Sequence, residues 1–145
     1  MSTKERINLA APCGIDCGIC ELYICKDNKQ LYDHMISRGI PEEKLPCGGC
    51  RNVNGNCPVI AGECETYKCM TKKKVEFCSD CADFPCYKLA PAADRADVLP
   101  HNTKVFNLCI IKKIGIEGFL ERSAEIKQIY YKGKMEVGKG PKSDN

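Results

Sequence analysis

Apolar positions along the chain fall into helix-spaced groups, separated by stretches dominated by Cys, Gly and Pro. The first twelve residues are polar and then briefly apolar, which predicts a flexible lead ending in an extended stretch. Asp16 stands where an N-cap opens a short helix through Cys17, Leu22 and Tyr23. Asp27 with Gln30 resembles a capping box, and Leu31, Met35 and Ile36 give the following helix an apolar face. Arg38-Gly39 is a stop signal. Residues 40–70 show no sustained period and predict a loop with one helical turn near Ile60 to Tyr67. Asp83 and Pro85 predict the N-cap and first position of a helix over Tyr87 and Leu89. Pro91 to Pro100 is a connector. Asn102 or Thr103 then caps a helix bearing Val105, Leu108, Cys109 and Ile111, which Gly115 ends. A second helix, Ile116 to about Tyr131, carries Phe119, Leu120, Ile126, Ile129 and Tyr130 on its apolar side.

These elements make one domain of 145 residues. Residues 10–90 form a cysteine-rich region, 102–131 a two-helix region, and 132–145 a loose tail or weak extended arm. The expected fold class is mainly α with irregular, metal-stapled loops, or alternatively a small α+β fold. The chain is 43% apolar, but cysteine counts towards that figure and only 7% of residues are aromatic. The core expected from such material is thin for this length, so part of the chain should be held by something other than apolar burial.

Thirteen cysteines supply the candidate. Twelve lie between Cys13 and Cys86, in three C-x-x-C pairs: Cys17/Cys20, Cys47/Cys50 and Cys78/Cys81. Cys25 and Cys86 each follow a pair by five positions, and Cys57 follows the middle pair by seven. Cys13, Cys64 and Cys69 remain, so three triads and three single residues can make three four-cysteine sites. Two residues between cysteines let both sulfurs reach one metal while the backbone turns, and Gly18, Gly48 and Gly49 stand at such turns. The thirteenth, Cys109, falls on the apolar side of its helix and is expected as a core thiol. His34 and His101 can ligate metals, but twelve cysteines already suffice; Asp16 and Asp80 are expected as caps. Met1 to Cys13 lacks the apolar region of an export signal, so a reducing, cytoplasmic setting is expected, where such cysteines hold metal rather than disulfides.

Charge narrows the partners. The formal charge is +3 with every thiol neutral. Twelve thiolates with three Zn²⁺, or with three [4Fe–4S]²⁺ clusters, bring it to about −3. Nucleic acid is therefore not an expected partner, and Lys26, Arg51, Lys68, Lys72, Lys73, Lys74 and Lys88 are expected to balance thiolates. No apolar run is long enough to span a membrane. A protein partner is possible, and the sequence does not set the oligomeric state. No phosphate-binding loop, dinucleotide fingerprint, H-E-x-x-H or G-x-S-x-G element occurs, so no catalytic residues are assigned. Cys13, Cys17 and Cys20 repeat the C-x3-C-x2-C spacing of radical S-adenosylmethionine enzymes, but no αβ alternation follows. Four-thiolate sets suit zinc and iron–sulfur alike. Zinc is the first expectation, giving structural sites in a binding or adaptor module. Iron–sulfur clusters are the alternative, giving electron transfer or redox partnering.

Cys13-Gly-Ile-Asp-Cys17-Gly-Ile-Cys20, Pro46-Cys47-Gly-Gly-Cys50-Arg51 and Cys78-x-x-Cys81-x-x-Phe84-Pro85-Cys86 resemble the domain-of-unknown-function family DUF3795. His101-Asn102 and Ile114-Gly115-Ile116-Glu117 extend the likeness to about residue 130. The resemblance implies a small cysteine-rich prokaryotic protein regarded as metal-binding, with no reaction attached. Many relatives carry a further C-P-x-C-G knuckle after the last helix, where this chain has Tyr130-Tyr131-Lys132-Gly133.

Overall fold

The lead is not flexible. In the computed structural model, which describes residues 1–143, it forms helix α1, Thr3–Asn8. Ser2 and Glu5 close a reciprocal capping box there: the Glu5 N–H donates to Ser2 Oγ at 3.2 Å, and the Ser2 N–H donates to the Glu5 carboxylate at 2.6 Å. That box satisfies amide donors a six-residue helix would otherwise leave open.

A buried segment, Leu9 to Pro12, follows and carries the architecture. Its carbonyls receive a donor from each knuckle. The Cys17 N–H donates to Leu9 O at 2.9 Å and the Cys78 N–H to Pro12 O at 2.8 Å. Arg51 Nε donates to Ala10 O at 2.8 Å. Buried carbonyls require such partners, so the segment fixes three distant parts of the chain at once.

Past the first knuckle run helices α2, Glu21–Ile24, and α3, Lys29–Ser37. Asn28 rather than Asp27 caps α3, its side chain accepting from the Leu31 N–H. The helical turn expected near Ile60 is instead helix α4, Glu65–Lys73. A sulfur takes the usual place of a hydroxyl there, because Cys64 Sγ accepts from the Tyr67 N–H at 3.4 Å. The helix expected after Pro85 shrinks to one 3-10 turn, Tyr87–Leu89. Only Leu89 has a core to face, and Tyr87 is 97% exposed.

Helix α5, Lys104–Lys132, is broken at Gly115, whose φ of 80° and ψ of 168° lie outside helical space. Both expected late helices are therefore present, and a residue with a Cβ would be strained at the break. Leu108, Ile111 and Phe119 from the two halves meet Ala10, Phe77 and Leu89 in one core. The late helices thus pack on the cysteine-rich region rather than forming a core of their own. Gly14, at φ +93°, makes this approach possible: a Cβ there would lie 2.9 Å from both Leu108 Cγ and Lys104 O.

The tail is more ordered than expected. Strand β1, Lys134–Glu136, pairs antiparallel with β2, Gly140–Lys142, with Met135 opposite Pro141. The rest of the expected loose tail, residues 144–145, lies outside the described residues. About half of the chain is helical, beside this one two-stranded sheet. That matches a mainly α or small α+β class. Among the described residues no helix is long and apolar enough to cross a membrane.

Cys109 is exposed and corrects the expectation of a core thiol. Leu108 and Ile111 face the core, and a helix turns about 100° per residue. Cys109 therefore shares the outer stripe with Phe106 and Lys113. Cys109→Ala should change stability by less than about 0.5 kcal/mol, as for other outward positions. A urea midpoint shifted by much more than that would place its side chain inward.

Candidate metal centre

All thirteen cysteines are free thiols in the structure. Asp16 organises the first knuckle. It caps the 3-10 turn Cys17–Ile19 by accepting from the Gly18 N–H at 2.9 Å. Arg6 donates to both carboxylate oxygens, at 2.8 and 2.6 Å, and Ser123 Oγ donates to Oδ2 at 2.6 Å. Lys127 adds a second strap, donating to Ile19 O at 2.8 Å and pairing with Glu21. Asp80 also acts as a cap, accepting from the Phe77 N–H at 3.1 Å.

In the second knuckle the Cys47 N–H donates to Leu22 O at 2.8 Å, which ties it to α2. Of the three knuckle glycines only Gly49 has a positive φ. Gly18 matters for space, since a Cβ there would meet the Arg6 guanidinium at 2.7 Å.

Amides point at sulfur in several places. The Cys50 N–H donates to Cys17 Sγ, the Gly49 N–H to Cys47 Sγ and the Asp83 N–H to Cys81 Sγ, each at 3.4 Å. Such contacts offset negative charge on a thiolate. Cys25 is instead a donor, its thiol reaching Leu22 O at 3.3 Å.

Electrostatics group the thiols in two neighbourhoods that share Cys13. Burial pushes the Cys17 thiol well above its ordinary value; the Cys50 amide partly offsets this, and the charges of Cys50, Cys20 and Cys13 add to it. Burial pushes Cys20 up to about 11, with Glu21 and Cys57 adding to it. It pushes Cys50 up to about 12, reinforced by Cys13, Cys64 and Cys57. Cys57 is raised by burial and then by Cys47, Cys64 and Cys13, and Cys25 by burial and then by Cys47. Cys78 stands apart from most of these: burial pushes it up to about 12, and Cys13, which acts on both groups, reinforces the shift with Cys86, Cys69 and Cys81. Cys69, Cys78, Cys81 and Cys86 also line one cavity of 30 Å³. All twelve sequence-assigned cysteines thus fall in these neighbourhoods. Yet among the described residues no three or more His, Cys, Asp or Glu side chains are grouped so that one metal ion could be held.

The basic residues divide. Lys73 Nζ donates to Cys81 Sγ at 3.2 Å, as charge balance requires. Arg51 is structural, holding Ala10 O and Glu76 O and stacking 5.0 Å from the Phe77 ring. His101 lies 2.9 Å from Ala92 O, and His34 sits on exposed helix surface.

These shifts carry a pH dependence with a definite sign. A thiol raised on folding stabilises the fold fully below its unfolded value, here 9.0, and loses that contribution as pH climbs through the folded value. The share of the metal-free chain that stays folded should therefore be level up to about pH 9 and fall steadily above it. Helicity measured by circular dichroism across that range checks this; a helical signal unchanged at strongly alkaline pH would mean the thiols are not buried.

What sequence reasoning missed is the Leu9-to-Pro12 hub. The short apolar run before Cys13 was its only signal, and the run's role rests on contacts far along the chain.

No curated protein and no solved structure matches the chain. The matching family profile ends at residue 91, before the His101 and Gly115 stretches that also carried the likeness. It spans residues 9–91, more than half of the chain and all twelve clustered cysteines, and carries the description "Protein of unknown function (DUF3795)"; the chain belongs to that family.

Proposed function

We propose that the chain is a metal-binding protein whose twelve cysteines from Cys13 to Cys86 form all-thiolate sites, with iron–sulfur clusters as the favoured occupants and one-electron transfer as the role. The observation that carries this reading is the cavity lined by four cysteines from three separate stretches, Cys69, Cys78/Cys81 and Cys86. A single zinc ion draws four sulfurs to about 2.3 Å from one centre. A four-iron cluster takes one thiolate on each of several irons and so suits a wider ring. Sulfur-directed amides and an apolar surround are also what such clusters use to set their potential. Sites closed by four thiolates leave no open coordination position, so electron exchange rather than bond-making chemistry follows from them.

Zinc in structural sites is the second reading, favoured by the three tight C-x-x-C turns. One experiment separates the two. The full chain is purified without oxygen, and iron, sulfide and zinc are measured beside the visible spectrum. Brown protein holding iron and sulfide in similar amounts supports clusters and a redox role. Colourless protein holding zinc overturns that role in favour of a structural module. Protein that takes up neither, even after reconstitution, overturns metal binding altogether.

A further inference from the structure

Cys69 stands alone in the sequence, five residues after Cys64 and nine before Cys78, and spacing does not say which knuckle it serves. The fold does. Helix α4 carries Cys69 and, one turn later, Lys73 towards the third knuckle, and both line the cavity with Cys78, Cys81 and Cys86. Cys64, at the cap of the same helix, is felt by Cys50 and Cys57 instead. The helix therefore divides its two cysteines between different neighbourhoods. Phe84 and Leu89 wall the same cavity and join the apolar core.

Resting on the metal-binding reading above, we infer that Cys69, Cys78, Cys81 and Cys86 form one self-contained four-thiolate site, which can be emptied without emptying the sites built from the other eight cysteines. Lys73 is its positioning residue. Its ammonium donates to Cys81 Sγ at 3.2 Å and pairs with Asp83, whose own N–H donates to the same sulfur at 3.4 Å. One thiolate of the four thus carries both an ammonium and an amide. A cationic donor stabilises the more negative, reduced state of any cluster held there and raises its potential. Cys86 is exposed, which sets this site at the protein surface, where a small one-electron carrier can reach it.

The test uses the full chain, purified without oxygen and loaded with iron and sulfide, or with zinc where zinc is what it holds. Cys86→Ser is the first variant, because the exposed Cys86 packs in no core and its replacement acts through the site alone, and Cys69→Ser is the second. Each should lose about a third of the bound metal, one site of three. In each, iodoacetamide should label the remaining cysteines of the quartet while the other eight ligands stay protected. Lys73→Gln should keep its metal but shift the redox titration of one site to lower potential, and Lys73→Arg should restore it. A loaded wild-type chain whose Cys86→Ser and Cys69→Ser variants keep all their metal overturns this assignment alone. So does a variant in which all cysteines become reactive at once, since the quartet would then not be self-contained. Lys73→Gln with an unchanged titration overturns the role of Lys73. A wild-type chain that holds no metal overturns both this assignment and the reading beneath it.

Discussion

Stripping the metal from the loaded chain should unfold most of it, residues 104–132 included. Metal sites of the structural kind contribute on the order of 10 kcal/mol each to folding. The rest of the core is small: Ala10, Phe77, Leu89, Leu108, Ile111 and Phe119 are its buried members. Two of these, Phe77 and Leu89, stand within three positions of cysteines of the quartet. Reading length and periodicity alone leads to a different expectation, in which the late helices keep residual structure after chelation. The packing argues against that, because Leu108 and Phe119 are completely buried only through contact with the cysteine-rich region. Amide exchange before and after treatment with a chelator and reductant is the measurement. Protection lost together in residues 9–89 and 104–132 is the expected result; protection retained in the late helices would show them to be an independent unit.

Asp16→Ala should cost about 3 kcal/mol. The carboxylate is 2% exposed, and removing it strands two donors, the Arg6 guanidinium and the Gly18 amide, while the Ser123 hydroxyl keeps only Leu120 O. The figure sits at the low end for a broken buried pair because Arg6 is 30% exposed and can turn partly to solvent. Asp16→Asn keeps the shape and some of the hydrogen bonds and should cost less. Urea denaturation of the loaded protein reads both. If Asp16→Ala were as stable as wild type, the carboxylate would not be the post on which α1, the first knuckle and α5 are fastened.

Local signals in the sequence were legible where local physics decides the outcome. Gly115 breaks the long helix because few other residues tolerate its φ, and Leu108, Ile111 and Phe119 lie at the spacing a helix demands. Ser2 and Glu5 also spell a capping box, but a six-residue helix with no buried residue gives no apolar period to confirm it. Helix α4 begins later than expected because its cap is the sulfur of Cys64, which propensities do not count as a cap. The turn after Pro85 stays short because nothing on the far side of Tyr87 covers it. At the candidate site, spacing singles out twelve cysteines but does not say which of them lie near one another. That depends on the bonds that Leu9 to Pro12 accept, and two of these, from Arg51 and from Cys78, join residues tens of positions apart.

The straps from Ser123 to Asp16 and from Lys127 to Ile19 join the end of the chain to its beginning, across more than a hundred residues. During synthesis the chain emerges at about 5–20 residues per second, N-terminus first. All twelve clustered cysteines therefore leave the ribosome before the helix that fastens the first knuckle has itself emerged. For several seconds they are open to oxidation, to the wrong metal and to one another. Any metal these cysteines take up must bind in that interval or wait for Lys127, so the position of the last helix sets when the first knuckle can be fastened.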